Sequence, residues 1–324
     1  MPAPLVSIVL PTLNGRADLE RLLPRLAEQE LEGGFELLAV DSSSSDGSVE
    51  LLEQAGADVR RIRREDFSHG GTRTERAADA KGEFLVFLSQ DALPSDSHFL
   101  ARLIEPFADP RVAGAYARVL PNPGDDLLTA RTVLDLPEAS PEPGVRDLDQ
   151  VAGLWELPPI QRVAHIRFNN VASAIRRSAF AEIPFPTIDF GEDVAWAARA
   201  LTSGWRLAYA PAAVAYHAHR YSARKAFARY RQDARFHRAA HDWAMRPTLG
   251  SAARGWCFEL ASDLREVRRA GVLRHLGDLL RAPVLRGAQI LGQYVGSRGT
   301  GGRLRPPMPI TIPPGPTAAE DLRA

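Results

Sequence analysis

The segment Phe84–Asp96, FLVFLSQDALPSD, joins an apolar run to an abrupt polar end. Phe84–Leu88 is typical of a buried β-strand, and Ser89, Gln90 and Asp91 follow it directly. A charge is costly to bury unless it is paired or bound to a metal ion. Asp91 is therefore either a cap of the next helix or a ligand, and the rest of the chain has to decide between the two.

The first 120 residues alternate between strand-like and helical patterns. LVSIVL (Leu5–Leu10) and FELLAV (Phe35–Val40) are nearly continuous apolar runs, as in buried parallel strands. The leucines of ADLERLLPRLAEQ, between these two runs, fall on one helical face. Two more helices and two more strands are predicted to follow, at 47–54, 58–62, 73–79 and 84–88. This alternation predicts an α/β fold with a mostly parallel sheet flanked by helices.

Polar residues collect where the predicted strands end. The first strand runs into Pro11-Thr12-Leu13-Asn14, the second into Asp41 and a serine-rich turn, and the fourth into Gln90-Asp91. Asp41 stands too early to cap the following helix, whereas Ser45 and Asp46 are better explained as N-caps. Ligands of such sheets bind outside the carboxyl ends of the strands, so we predict a binding site there. The turns carry neither a dinucleotide-binding glycine motif nor a P-loop.

Composition limits the classes of function. The chain has 324 residues with 40 basic and 40 acidic side chains, so no nucleic-acid partner is predicted. The single cysteine, Cys257, excludes an intramolecular disulfide and fits a reducing compartment. The N-terminal apolar run stops at Pro11, and no segment approaches the roughly 20 apolar residues of a membrane-spanning helix. We expect a cytoplasmic protein, at most peripheral at the inner face of the cell membrane.

Five motifs in this chain carry a resemblance to a known family. They are VSIVLPTLN, LLAVDSSSSDGS, FSHGGTR, FLSQDALP and FGEDVAWAARALTSGW. In this order and spacing they resemble glycosyltransferase family 2, and more narrowly its bacterial rhamnosyltransferase branch. The resemblance implies a GT-A fold, a nucleotide-diphosphate sugar donor, a divalent metal ion and inversion of the anomeric centre. It assigns residues 1–222 to the transferase domain, which leaves 223–298 as a helical C-terminal appendage and 299–324 as a flexible tail.

The resemblance places the donor at the strand ends. Pro11, Thr12 and Asn14 would line the nucleoside pocket, and Asp41 would accept a hydrogen bond from a pyrimidine base. Arg73, in HGGTR, would contact the base or the phosphates, since a guanidinium offers a rigid fork of donors to oxygen atoms.

The metal motif departs from the family pattern. The family usually carries Asp-x-Asp where this chain has Ser89-Gln90-Asp91, so only one carboxylate remains in the motif. By resemblance Gln90 and Asp91 both contact the donor. Mg²⁺ or Mn²⁺ can be held by one or two carboxylates together with diphosphate oxygens and water. The resemblance therefore makes Asp91 the carboxylate that holds the metal ion against the diphosphate.

Histidines supply further candidate ligands. The predicted strand pair RLAYAP and AVAYH leads to His217, which matches a further metal ligand of several family members; a solvated surface histidine is the alternative. If the strand continues, His219 points the other way. His237 and His241 are spaced as a metal pair, but Arg238 and the lack of a third ligand favour an ordinary helix face.

The acceptor side is predicted from two segments. HIRFNNVASAIRRSAF predicts a strand followed by a helix, and by resemblance Asn170 at the strand's start would bind acceptor hydroxyls. Glu192 and Asp193 begin an amphipathic helix, whose dipole favours carboxylates and is expected to keep Asp193 ionised. By resemblance Asp193 is the catalytic base and Glu192 its catalytic neighbour beside the acceptor. A purely structural role at the helix N-terminus is the alternative for both carboxylates.

Two segments lie outside these motifs. Residues 121–159 are rich in Pro, Gly and acidic side chains without clear periodicity, and we interpret them as an acceptor-side lid. From Ala223 the pattern is helical with breaks near Pro247 and Pro283, and residues 254–305 hold ten arginines against four acidic residues. Contact with an anionic membrane, packing on the catalytic domain and pairing of two subunits into a homodimer all fit this composition.

The sequence thus predicts an inverting, metal-dependent glycosyltransferase of cell-envelope or exopolysaccharide assembly. The subfamily resemblance implies a deoxythymidine-diphosphate (dTDP) L-rhamnose donor and a glycan or lipid-linked acceptor, with a UDP- or GDP-sugar donor as the alternative. A sugar nucleotidyltransferase would be expected to carry a glycine-rich, basic N-terminal loop, which LPTLNGRADLE lacks. A non-catalytic nucleotide-sugar binding module would not require Asp91 and Asp193 together.

Overall fold

The computed structural model describes residues 3–149, 151, 153–188 and 190–298. Its strands are β1 (Val6–Thr12), β2 (Phe35–Asp41), β3 (Asp58–Arg61), β4 (Phe84–Leu88), β5 (Leu93–Pro94), β6 (Val112–Leu120), β7 (Gly144–Arg146), β8 (Ala172–Arg176) and β9 (Arg206–Tyr216). Its α-helices are α1 (Arg16–Ala27), α2 (Ser48–Gln54), α3 (His69–Ala77), α4 (Phe99–Ile104), α5 (Leu127–Leu134), α6 (Pro159–His165), α7 (Arg177–Glu182), α8 (Glu192–Thr202), α9 (Ala223–His241), α10 (Leu249–Ala270) and α11 (Leu276–Ser297).

The described strands form one sheet in the order β3-β2-β1-β4-β8-β6-β9-β5, and β7 pairs with β9. The first four strands are parallel to their neighbours, as the apolar runs predict. Beyond β4 the sheet is mixed, because β8 lies antiparallel between β4 and β6, and β9 runs parallel to β6. The continuous parallel part, β3-β2-β1-β4, contains the three strands whose ends carry the predicted donor residues, β1, β2 and β4.

Apolar side chains fill both faces of the sheet. On one face the buried leucines of α1 and α4 pack against alternating residues of β1 and β4. On the other face Trp196 of α8 is fully buried, and its indole N–H donates to the Ile183 carbonyl at 2.7 Å. A Cβ atom at Gly114 would approach the Trp196 ring to 2.7 Å, so β6 needs glycine where α8 crosses it. This packing fixes the start of α8 relative to the sheet.

Three local predictions differ from the structure. RLAYAP and AVAYH form a single strand, β9, which pairs irregularly with β6 beside Ala117 and Arg118. The third helix begins at His69 instead of Arg73, because the Ser68 side chain accepts from the Gly71 N–H and caps it there. Pro283 lies inside α11, and the break between the last two helices is the turn at 271–275.

The segment 121–159 is more ordered than a lid without regular structure. It holds α5 and β7, and Asp126 caps α5 by accepting from the Thr129 N–H at 3.0 Å. Arg131 of α5 is buried and forms an ion pair with Asp263 of α10, which also pairs with Arg286 of α11 at 2.8 Å. This part of the segment is therefore joined to the C-terminal helices by buried charges.

The C-terminal region is helical, as its sequence pattern predicts. α9, α10 and α11 pack on one another, and glycines on α11 allow the closest approach to α9: a Cβ atom at Gly296 would lie 2.4 Å from the Arg231 carbonyl. Within the described ranges no helix is long and apolar enough to cross a membrane. The predicted tail, 299–324, lies outside the described residues. The predicted domain boundary at residue 222 stays a prediction.

Candidate functional site

Asp41 joins the ends of the first two strands. Its carboxylate is fully buried and accepts hydrogen bonds from the Thr12 hydroxyl at 3.0 Å and from both the backbone and the hydroxyl of Ser44. These contacts hold the turn after β2 against the end of β1. The structure thus gives Asp41 an internal role in the predicted nucleoside pocket, and its bond to a base stays a prediction.

The turn after β1 is held from two sides. Asn14 adopts a left-handed backbone conformation with φ 45°, and its side-chain oxygen accepts from the Ser45 N–H at 3.0 Å. Gln90 bridges from the end of β4, because its side-chain oxygen accepts from the Leu13 N–H at 2.9 Å. Gln90 therefore fixes the turn that follows Pro11 and Thr12, which explains why an amide suits this position of the metal motif.

Asp91 meets two histidines at the end of β9. Its Oδ1 lies 3.3 Å from Nδ1 of His217, and its Oδ2 lies 3.8 Å from Nδ1 of His219. Burial by itself would raise the pKa of Asp91, but the close contact with His217 and the charges of both histidines lower it below its usual value. The prediction that His219 points away from His217 is wrong, because residues two apart in an extended chain lie on the same face, and both histidines lie beside Asp91.

These three side chains fit a divalent cation. Their ligand atoms all lie within 4.8 Å of one another, and they are the one such group among the described residues. Nδ1 of His217 is buried and makes no hydrogen bond within the described structure, so this nitrogen is available to a cation. One carboxylate oxygen and two imidazole nitrogens suit Mn²⁺ better than Mg²⁺, which prefers oxygen ligands.

A second cluster lies where α3, α8 and the start of β8 meet. Glu192 is buried, and its Oε1 accepts from the Arg73 guanidinium and from the Asn170 side-chain amide, both at 3.3 Å. Burial lowers the pKa of Arg73, while the charges of Glu192 and Asp193 oppose that effect. The structure therefore brings together three predicted residues, Arg73, Asn170 and Glu192, although two were expected on the acceptor side and one beside the donor.

Asp193 follows Glu192 in the first turn of α8. Its Oδ2 accepts from the Asn170 backbone N–H at 3.3 Å, and its Oδ1 accepts from the Val194 N–H at 2.8 Å. Burial and the neighbouring charge of Glu192 raise the pKa of Asp193 to about 7. This raised pKa opposes the expectation that the helix dipole keeps the carboxylate ionised, because burial and the charge of Glu192 favour the protonated form.

Arg229 of α9 is a candidate that the sequence patterns do not single out. Its guanidinium lies 4.9 Å from the centre of the Phe190 ring, next to Gly191 and Glu192. Burial lowers the pKa of His69 and of His219, and the charge of Arg229 lowers both further. The charge of Arg229, which pairs with Asp233 at 3.3 Å, thus acts on one histidine of each cluster, His69 beside Arg73 and His219 beside Asp91. A lone arginine in an arginine-rich helix carries no motif that could reveal this.

His237 and His241 of α9, predicted to form an ordinary helix face, are half-buried and buried respectively. His241 is 3% exposed, and neither of its ring nitrogens has a hydrogen-bond partner in the described structure. Burial lowers the pKa of His237 and of His241 to about 4, so both are neutral at neutral pH. Phe236, whose ring lies beside both histidine rings, packs against Phe190 and Gly191. This part of α9 is an internal support for the start of α8.

The two glycines of HGGTR have different environments, which gives a matched pair of substitutions. A Cβ atom at Gly70 would lie 2.1 Å from the Pro186 carbonyl oxygen, whereas one at Gly71 would meet nothing closer than 3.4 Å. We expect Gly70→Ala to lower the free energy of unfolding by about 1–3 kcal/mol, because α3 must move away from the segment before α8. Gly71→Ala should stay within about 1 kcal/mol of the wild type.

Denaturant unfolding of both variants checks this prediction. Equal stability of Gly70→Ala and Gly71→Ala would show that α3 does not pack on the Pro186 backbone as described.

The candidate site of this chain thus consists of the polar turns at the parallel strand ends, the Asp91–histidine cluster and the paired carboxylates at the start of α8. The sequence model of glycosyl transferase family 2 matches residues 7–172, and the chain belongs to this family. The match begins in β1 and ends at the first residue of β8, so it contains Asp41, Arg73 and Asp91 but not Asp193.

Two curated relatives are similar over most of their length. The O-antigen chain rhamnosyltransferase RfbN of Salmonella typhimurium is 28% identical over 259 residues, which is 78% of each chain. The O-antigen chain rhamnosyltransferase WbaN of Salmonella anatum is 29% identical over 261 residues, which is 79% of each chain. The chain is therefore a family 2 glycosyltransferase with rhamnosyltransferase relatives.

A solved structure supports the fold. The mannosyltransferase PcManGT from Pyrobaculum calidifontis, solved in complex with GDP-Man and Mn²⁺, superposes with a TM-score of 0.56 at 17% identity. The superposition covers 90% of this chain and 86% of that one. The predicted GT-A-like fold with C-terminal helices is confirmed.

Proposed function

We propose that this protein transfers L-rhamnose from dTDP-L-rhamnose to a hydroxyl group of a glycan or lipid-linked acceptor, with inversion at the anomeric carbon. The observation that carries the proposal is Asp193, a carboxylate at a helix start whose pKa is raised to about 7. A general base works best when its pKa is near the working pH. The two O-antigen chain rhamnosyltransferase relatives support rhamnose as the sugar and a glycan chain as the acceptor. A role in cell-envelope or exopolysaccharide assembly on the cytoplasmic side is part of the proposal.

The donor fits the edge formed by β1, β2 and β4. Thr12, Asn14 and the turn held by Asp41 and Gln90 would enclose the nucleoside. Asp91, His217 and His219 would hold Mn²⁺ or Mg²⁺, which when bound offsets the negative charge of the diphosphate. Arg229 stands near this cluster and would supply a second positive charge to the same phosphates.

Proton transfer would be carried by Asp193. The acceptor oxygen attacks the anomeric carbon, its proton passes to a carboxylate oxygen of Asp193, and the bond from that carbon to the diphosphate breaks with its electron pair on the diphosphate. The Asn170 N–H holds Oδ2 of Asp193 in place. Glu192 would position the acceptor side by keeping Arg73 and Asn170 together.

A nucleotide-sugar screen tests the proposed donor. The full chain is incubated with dTDP-L-rhamnose, UDP-glucose, UDP-galactose and GDP-mannose, with and without Mn²⁺, and release of the nucleoside diphosphate is measured. We expect release from dTDP-L-rhamnose and dependence on the metal ion. Preferred release from UDP- or GDP-sugars would replace the proposed donor by the alternative one, and no release from any donor would contradict a transferase.

The pH dependence of transfer gives a separate prediction. Because the pKa of Asp193 is raised to about 7, the form that accepts a proton increases as the pH rises through 7 and is lost below it. We expect the transfer rate to be half-maximal near pH 7 and to fall about tenfold for each pH unit below that point. Rates measured at saturating donor check this, and a rate that stays level from pH 5 to pH 8 would exclude Asp193 as the base.

A further inference from the structure

An apolar stripe runs along the outer face of α11. We define it by Leu276, Leu280, Val284, Leu291 and Val295, which follow the spacing of one helical face and are between 39% and 72% exposed. The helix has 22 residues, so the stripe is roughly 28 Å long. Such a continuous apolar face is unusual for a surface in contact with water and marks an interaction site.

Neighbouring residues extend the stripe. Trp256 of α10 is 38% exposed, and its indole N–H donates to the Pro283 carbonyl at 3.0 Å, beside Val284. Leu273, in the turn before α11, is 93% exposed. Tryptophan is enriched where proteins meet the headgroup region of a bilayer, because its ring is apolar and its N–H is polar.

The side chains of α10, α11 and the turn between them that are both charged and exposed are arginines. Arg274 and Arg298 stand at the two ends of the stripe. Arg254, Arg265, Arg268, Arg274 and Arg298 are exposed, and within the described part of the chain none of them forms a salt bridge. We call these five residues the arginine set. The acidic residues of α10 and α11 are engaged elsewhere, with Arg131, Arg286, Arg269 and His275 as partners.

This charge distribution distinguishes two candidate binding partners of the stripe, a second copy of the chain and a lipid bilayer. A symmetric pair of chains would place the same positive face of each copy opposite the other, and like charges across an interface are unfavourable. A bilayer with anionic lipids instead offers negative headgroups to the arginine set and an apolar interior to the stripe. The complementarity therefore favours a lipid surface over a second copy.

We propose that α11 lies flat on an anionic membrane, with the apolar stripe inserted at the boundary between headgroups and acyl chains. The Arg131–Asp263–Arg286 ion pairs attach α10 and α11 to α5, and Arg281 of α11 donates to Asp126 at 2.8 Å and to the Tyr221 carbonyl at 3.1 Å. Through Tyr221 this contact reaches the segment that carries His217 and His219. Membrane binding would thus hold the catalytic crevice at a fixed orientation to the lipid surface.

Vesicle flotation of the full chain tests the proposal, with phosphatidylcholine vesicles that contain or lack phosphatidylglycerol. We expect flotation with the anionic vesicles and little with phosphatidylcholine alone. Leu280→Glu/Val284→Glu should lose at least about tenfold in vesicle binding, since both side chains are exposed and the charges oppose insertion. The matched control is Ile160→Glu on α6, which is 62% exposed outside the stripe and should float like the wild type.

The charge part is tested by Arg268→Gln/Arg274→Gln, which should lower binding to anionic vesicles about tenfold. Arg61→Gln/Arg64→Gln, which removes two exposed arginines of the catalytic region, should not. The proposal is overturned if the wild type does not float or floats equally well with and without phosphatidylglycerol. It is also overturned if Leu280→Glu/Val284→Glu floats as well as the wild type. If the wild type sediments as a dimer and Leu280→Glu/Val284→Glu sediments as a monomer, the stripe binds a second copy of the chain instead of a membrane.

Discussion

Asp193→Asn is expected to lower the transfer rate by about 10²–10⁴ while donor and metal affinity stay unchanged. Asparagine keeps the size of the side chain, but its single oxygen can accept from only one of the Asn170 and Val194 N–H groups. We therefore expect a modest loss of stability with the fold retained. It cannot take a proton from the acceptor hydroxyl. Transfer rates under saturating donor, together with calorimetric donor binding, measure the two effects separately.

Two variants serve as controls for Asp193→Asn. Glu50→Gln removes an exposed carboxylate from the first turn of α2 and should leave transfer unchanged. Glu192→Gln leaves the buried Arg73 without its charge partner, so it should lower the free energy of unfolding as well as the transfer rate. If Asp193→Asn is as active as the wild type, the residue only stabilises the helix start, because asparagine caps a helix about as well as aspartate.

Asp91→Ala is expected to lower donor affinity in the presence of Mn²⁺ by about 100-fold or more. Loss of a partner that merely orients a metal ligand already costs 10–100-fold in other metal sites, and Asp91 would itself be a ligand. His217→Ala should have a smaller effect in the same direction, since the carboxylate remains. Affinity for donor in the presence of a chelator should be the same in the wild type and in Asp91→Ala.

Asp96→Asn is the matched control for Asp91→Ala. Asp96 lies on the same loop, and its carboxylate pairs with Arg102 at the surface instead of the histidines. The variant should bind donor and Mn²⁺ like the wild type. An Asp91→Ala protein with unchanged affinity in Mn²⁺ would show that the Asp91–His217 contact is only an internal ion pair.

The parallel part of the fold could be predicted from the sequence. The apolar runs that form β1, β2 and β4 are buried on both faces and therefore almost free of polar residues. The antiparallel pairing of β8 with β4 and β6 joins segments far apart in the chain, and no local pattern encodes it. The same holds for α5, whose stability depends on ion pairs with α10 and α11 that only the folded chain brings together.

Candidate site residues could be predicted where a sequence motif specified both the residue type and its place at the end of a strand. Asp91 and His217 meet as expected, and His219 joins them on the same side of the chain, as residues two apart in an extended segment do. The protonation of Asp193 could not be predicted, since its pKa depends on burial and on the orientation of Glu192. The hydrogen bonds from Arg73 to Glu192 and from the Leu13 N–H to Gln90 could not be predicted either, because they join residues far apart in the chain.

The candidate site at the ends of β1, β2 and β4 is proposed to bind a nucleotide-diphosphate sugar through a cation held by Asp91, His217 and His219. Calorimetric titration of the wild-type full chain with dTDP-L-rhamnose, once in Mn²⁺ and once in a chelator, tests it most directly. We expect saturable binding in Mn²⁺ that weakens by about 100-fold or more when the metal ion is removed, as in Asp91→Ala. Equal affinity under both conditions, or no binding in Mn²⁺, would contradict it.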